Sequence, residues 1–195
     1  EPVLIVGFDG VAPAFVVSKR PFAGNWEYML DEAIFTAPAT VNWQGAALVN
    51  KSGKLIGVGS LAVGDAVGGR QVPGNMFVPI DLLKPILGNL IAQGKAGDKP
   101  RPWLGVNTQD LQGKLMITRV QPDSPADKAG LAAGDIILGV RGEQLKSHAD
   151  FYKKLWSSGD AGAEVELNVL KGTEVQKLGV KSIDRESYLR PKPVY

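Results

Sequence analysis

Residues 117 to 145 read ITRVQPDSPADKAGLAAGDIILGVRGEQL. The stretch alternates two kinds of local chemistry. Its first residues close KLMITRV (114–120), an apolar, partly β-branched run of strand type. SPADKAG (124–130) carries the marks of a short helix. Ser124 stands as N-cap, Pro125 at the first helical position, Asp127 closes a capping box, and Gly130 is the stop. AGDIILGV then returns to strand after a Gly-Asp turn, and RGEQL continues as a turn and a short strand.

The flanks extend the pattern. WLGV (103–106) precedes it. SHADFYKKLWSSG (147–159) follows as a helix with Ser147 as cap and Asp150 reaching back. Phe151 and Leu155 lie four apart on one face, with Tyr152 beside them. EVELNVL and VQKLGVK read as a hairpin around KGTE. RESYLRPKPVY (185–195) has no periodicity and is expected to be loose.

The order strand, short helix, strand, helix, hairpin behind WLGV resembles a PDZ domain of the bacterial, circularly permuted kind, over roughly residues 101 to 183. The resemblance implies a peptide receptor. An extended peptide adds as a strand to an open sheet edge through sequence-blind main-chain hydrogen bonds. That edge would be Val106, Asn107 and Thr108, facing the helix from His148 to Leu155. The loop Trp103-Leu104-Gly105 would offer backbone N–H groups to a terminal carboxylate, with Gly105 letting the backbone turn close to it. Phe151, Tyr152 and Leu155 would line the pocket for the last side chain; the residues alone leave open that Phe151 and Leu155 are simply core. His148, the single histidine, would sit beside the groove as a peptide contact or solvated cap.

Upstream, KAGDKPRP (95–102) reads as a basic, Pro-rich linker. IDLLKPILGNLIAQG (80–94) places Leu82, Leu83, Ile86, Leu87, Leu90 and Ile91 on one helical face, with Asp81 as N-cap and Gly94 as stop. Before it, PVLIVGF, AFVVSK, EAIFTA, GAALVN, KLIGVGSLAV and NMFVPI are strand-like. They are separated by turn or loop chemistry in DG, PFAGN, KSG and VGGRQVPGN. Six short antiparallel strands predict a small barrel, since closure removes exposed edges. The chain opens on Glu1 directly into a strand-like run, which suggests a piece of a longer precursor.

The totals narrow the function classes. Among 195 residues, 44% are hydrophobic and 22% charged, the balance of a globular chain. A net charge of +2 with interleaved signs gives no argument for nucleic acid or an anionic membrane as partner. The absence of cysteine removes disulfides, thiolate catalysis and zinc–cysteine sites. One imidazole without a cluster of further ligands makes no metal site, so no cofactor is expected. No apolar run approaches the ~20 residues of a membrane span.

A barrel, a linking helix and such a PDZ domain together resemble the HtrA (DegP-like) serine protease family. The first half is similar to the second barrel of that family's trypsin-like domain. There the nucleophile lies in Gly-Asn-Ser-Gly-Gly-Pro-Leu, followed by Val-Asn, a turn and an Ile-Gly strand. Here the run is Asn42-Trp43-Gln44-Gly45-Ala46-Ala47-Leu48-Val49-Asn50, then KSGKLIGV. Met76-Phe77-Val78-Pro79 matches the family's Phe-Ala-Ile-Pro strand.

The departures fall on the chemistry. Gln44 stands at the serine position, and a primary amide has no ionisable nucleophile to form an acyl-enzyme. Asn42 and Trp43 replace the residues that shape the oxyanion loop. Ser18, Ser52 and Ser60 have no histidine near in sequence. No catalytic residue is therefore expected.

The fold class expected is mainly β: a six-stranded antiparallel barrel, half of a trypsin-like fold, joined by a helix and linker to an α/β PDZ domain. The divisions would fall at 1–94, 95–102, 103–183 and 184–195. The resemblance implies a catalytically inactive binder of peptides or protein C-termini in the periplasm or cell envelope, serving as scaffold, adaptor or regulator. It would act alone, by self-association or beside an active paralogue. The alternative is a fragment of an active serine endopeptidase. The apolar end Pro193-Val194-Tyr195 is of a kind a PDZ groove can accept, although a frayed tail is the plainer reading.

Overall fold

The computed structural model describes residues 1–97 and 99–189. They form two compact units. The first comprises Glu1–Phe22 and Leu30–Gly97; the second joins Ala23–Met29 to the described residues beyond Gly97.

In the first unit six antiparallel strands close a barrel: β1 (Pro2–Gly7), β2 (Gly10–Gly24), β3 (Tyr28–Ala37), β4 (Ala47–Asn50), β5 (Leu55–Val63) and β6 (Gly74–Pro79). Their order around the barrel is β1-β2-β3-β6-β5-β4. Period-2 alternation sends Val3 and Ile5 of β1 inward, where they meet Ala14, Ile34, Leu48 and Phe77. Leu4 and Val6, between them, face outward and are exposed.

The sequence PFAGN, expected to be a loop, continues β2 as far as Gly24. β2 and β3 are neighbours in the barrel, and pairing carries both strands up to a three-residue turn at 25–27. Their shared tip, Ala23–Met29, belongs to the second unit.

The single helix expected over 82–93 is broken. A 3-10 turn spans Ile80–Leu82, and α1 covers only Leu87–Gln93. Pro85 explains the break, because it lacks an N–H and disfavours helical geometry at the residue before it. Asp81 caps neither piece; Gly94, in the left-handed region at φ 68°, ends the helix as expected. Leu82, Leu83, Leu87 and Ile91 remain exposed. The described part of 95–102 has no regular secondary structure.

The second unit is built on a sheet of order β12-β11-β9-β8-β7, with β10 paired to β9. The strands are β7 (Val106–Leu111), β8 (Lys114–Val120), β9 (Ile136–Val140), β10 (Glu143–Gln144), β11 (Glu164–Lys171) and β12 (Glu174–Lys181). Helices α2 (Pro125–Lys128), α3 (His148–Trp156) and α4 (Arg185–Leu189) accompany them. Both caps form as the sequence predicts. Ser124 Oγ accepts from Asp127 N–H, and Ser147 Oγ accepts from Asp150 N–H. The reciprocal bonds land one residue earlier than in a strict capping box, on Asp123 and Lys146 N–H.

Alternate positions of β11, Val165, Leu167 and Val169, point into one buried core. There they join Leu104, Ile117 and Ile137 from the rest of the sheet side and Phe151, Tyr152 and Leu155 from α3. The expected loose tail is helical in its first residues: Tyr188 of α4 stacks on Trp103 at 4.7 Å and donates to Pro122 O at 2.8 Å. Residues 190–195, and with them Pro193-Val194-Tyr195, lie outside the described residues.

Candidate peptide-binding groove

β7 is an edge strand, paired on one side with β8. Just before it the chain turns at Gly105, whose φ is 88°. A Cβ there would stand 2.4 Å from Ser124 Cβ, so both the conformation and the space require glycine. The carbonyls on this loop are fixed away from the groove: Leu104 O accepts from Ala126 N–H at 2.9 Å and Gly105 O from Gln121 N–H at 2.8 Å. Three successive N–H groups are thereby aimed at one point.

A carboxylate sits at that point, and it is Glu27. Leu104 N–H donates to Oε2 at 2.9 Å; Gly105 and Val106 N–H donate to Oε1 at 2.7 and 2.9 Å. The Glu27 main chain is tied as well, its N–H donating to the Tyr152 hydroxyl at 3.1 Å. That hydroxyl in turn donates to Gly24 O. Farther along β7, Thr108 N–H donates to Asn25 O at 3.0 Å. Ala23 and Met29 pack against the core that contains Phe151, Tyr152 and Leu155. Segment 23–29 thus meets both the donor loop and the strand edge.

Burial dominates the electrostatics here. It pushes the Glu27 carboxyl up to about 7, against the pull of the three N–H donors and the charge of Arg185. It also pushes the Tyr152 phenol up to about 12. His148 is lowered by burial, with the nearby Asp110 charge opposing. Its Nε2 is 2.7 Å from Thr108 Oγ1, and its ring stacks on Tyr152. Beside the clasp lies an open cleft of about 150 Å³, bordered by Trp26, Trp103, Gln121, Arg185 and Tyr188.

The expected groove residues divide by position. Leu104, Gly105, Val106 and Thr108 present main-chain donors. Trp103 does not: its N–H goes to Ile183 O at 3.0 Å, so the donor set is displaced one residue toward β7. Asn107 turns its side chain to Gln121 at 3.0 Å. Phe151 and Leu155 are fully buried core side chains, while Tyr152 joins core packing to polar contacts with residues 24 and 27. Sequence reasoning missed Gly24, Asn25 and Glu27. Nothing local marks them, because their partners lie 77 or more residues away in the chain.

The loop at Gln44 is a tight turn in the first unit. Ala46 N–H bonds to Trp43 O at 3.1 Å, and Gly45, at φ 67°, donates to Gly59 O at 2.9 Å. The backbone of Gly59 lies so close to the Trp43 carbonyl that a Cβ at 59 would overlap it. Gln44 itself is exposed at the turn. Asn42 does not use the left-handed conformation that asparagine tolerates. Residues 1–97 contain no histidine. Among the described residues no three His, Asp or Glu side chains gather as a metal site, and no helix is long and apolar enough to cross a membrane.

Residues 102–182 match the PDZ domain family. Over 189 residues the chain is 30% identical to a probable periplasmic serine endoprotease, DegP-like, of Marinomonas, covering 89% of this chain and 38% of that protein. This is an HtrA-like, PDZ-containing protein. The HtrA-like chain is also 30% identical over 154 residues to the serine protease Do-like HtrA of Bacillus subtilis, covering 68% of this chain and 33% of the relative. It spans less than half the length of these curated relatives. A solved HtrA-type protease, AlgW with tripeptide, shares the fold at a TM-score of 0.55 and 22% identity, covering 99% of this chain and 66% of that one. The fold class expected from sequence, mainly β with a barrel and a PDZ domain, is the one observed.

Proposed function

We propose that this HtrA-like protein binds peptides or protein C-termini through its PDZ domain and does not cut them, serving as scaffold, adaptor or regulator. The observation that carries the binding half is the convergence of Leu104, Gly105 and Val106 N–H on one carboxylate. A ligand's terminal carboxylate would use the same donors, and its main chain would extend along β7 toward Thr108. Charge-assisted bonds of this kind are about twice as strong as neutral ones. A Kd on the order of micromolar, about −8 kcal/mol, suits such a reader. Val106, Asn107, Thr108 and His148 would border the ligand, and Tyr152 would contact it.

The inactive half rests on Gln44. A carboxamide forms no acyl-enzyme, and residues 1–97 supply no imidazole to activate a hydroxyl. The periplasmic naming of several relatives supports work in the periplasm or cell envelope. A paired assay tests the whole reading. Fluorescence anisotropy should show binding of peptides with a free C-terminus and not of their C-terminal amides. A fluorophosphonate probe should leave the chain unlabelled. Equal binding of the amides would overturn the first half; covalent labelling would revive the reading as a piece of an active endopeptidase.

A further inference from the structure

We propose that Glu27 is an internal stand-in for a ligand's C-terminal carboxylate, and that segment Ala23–Met29 closes the groove until a free C-terminus displaces it. The proposal rests on the reading of this groove as a C-terminus receptor and concerns how that groove is regulated.

Four observations converge. The N–H groups of Leu104, Gly105 and Val106 are all engaged by Glu27, so a ligand carboxylate and Glu27 cannot occupy the loop together. Asn25 O takes Thr108 N–H, so the edge is engaged where a ligand's main chain would run. Ala23 and Met29 cover the core around Phe151 and Leu155. Finally, Glu27 holds φ at 56°, a conformation that glycine or asparagine adopts more readily. The chain continues through residue 27, so a carboxylate here has to come from a side chain. The left-handed turn aims that side chain into the donor loop.

The segment is covalently attached, so it competes as an intramolecular ligand, at an effective concentration on the order of millimolar. The apparent affinity for an outside peptide is then reduced by the fraction of molecules whose groove is open. Tyr152 acts as the latch, accepting from Glu27 N–H and donating to Gly24 O, and so holds the turn rather than the ligand.

The test compares the intact protein with Glu27→Gly, which removes the carboxylate and suits the local φ, and with Glu27→Gln, which keeps the shape. The probe is a fluorescein-labelled decapeptide mixture, randomised among apolar residues at its last three positions, with a C-terminal amide mixture as control. Circular dichroism checks folding. Glu27→Gly should bind the free-carboxylate mixture at least about tenfold more tightly than wild type, with Glu27→Gln between them and the amide mixture bound by none. Equal carboxylate-selective binding by wild type and Glu27→Gly would leave the receptor reading intact and overturn the plug. No carboxylate-selective binding by folded Glu27→Gly would defeat the receptor reading and the plug with it. In wild type, the Glu27 side-chain carboxyl ¹³C resonance should move to a solvent-like position as peptide saturates; a resonance that stays put under saturation also overturns the proposal.

Discussion

Two loops in this chain have the same task in principle: to point backbone N–H groups at an oxygen anion. The loop at 104–106 performs it, with three donors within 2.9 Å of a carboxylate. The loop at 42–45 keeps a tight turn and a close backbone approach at Gly59, yet presents an exposed carboxamide where the chemistry would begin. A backbone scaffold thus stands without a side chain that could give it a reaction. The binding loop needs no reactive side chain at all, because its function resides in main-chain geometry and one glycine.

Breaking that glycine should give the largest effect. Gly105→Val adds a branched side chain at φ 88° against Ser124 and is expected to cost about 3 kcal/mol or more and abolish peptide binding. Chemical denaturation and anisotropy read the two consequences.

Acidity should sharpen the contrast next, because only the 104–106 loop holds a buried titrating group. The Glu27 carboxyl rises from an ordinary 4.5 to about 7 on burial. The stability it contributes is fully present below pH 4.5 and is lost as pH rises through 7, a change of up to about 3 kcal/mol. The charged and titratable neighbours are Arg185 on α4 and, on α3, Tyr152 with His148 stacked behind it. Urea unfolding of wild type and Glu27→Gln across pH 4 to 8 isolates the contribution: the stability advantage of wild type should shrink with rising pH.

Ser124→Ala removes the cap that positions α2 behind Gly105, and should cost about 1 kcal/mol with a modest loss of peptide affinity. The smallest effect is expected at the other loop. Gln44→Ser restores a hydroxyl without a base, so stability should stay within about 0.5 kcal/mol and no peptide hydrolysis should appear by mass spectrometry.

Much of this was legible in the sequence because the signals are local. The Ser124 and Ser147 caps, the hairpin at β11–β12 and barrel strands β1 and β6 follow from short-range patterning. Pro85 shows the limit of such reading: the apolar face over 82–91 is periodic, but the missing N–H breaks the helix that periodicity suggests. The groove was legible only in part. Gly105 could be singled out from WLGV, whereas the donor set shifted by one because Trp103 pairs with Ile183, far along the chain. Glu27 was illegible for the same reason. Its role is set by the two long strands that hold the turn and by a loop distant in sequence, and neither leaves a mark on Asn25-Trp26-Glu27.

Native mass spectrometry of the Glu27→Gly protein, incubated with the free-carboxylate decapeptide mixture and separately with its amide counterpart, tests the grip and the missing cut together. A noncovalent complex of protein with full-length peptide is expected, formed with the free acid and absent with the amide. Shortened peptides, an acylated protein, or equal complex formation with the amide would contradict a receptor that holds C-termini without cutting them.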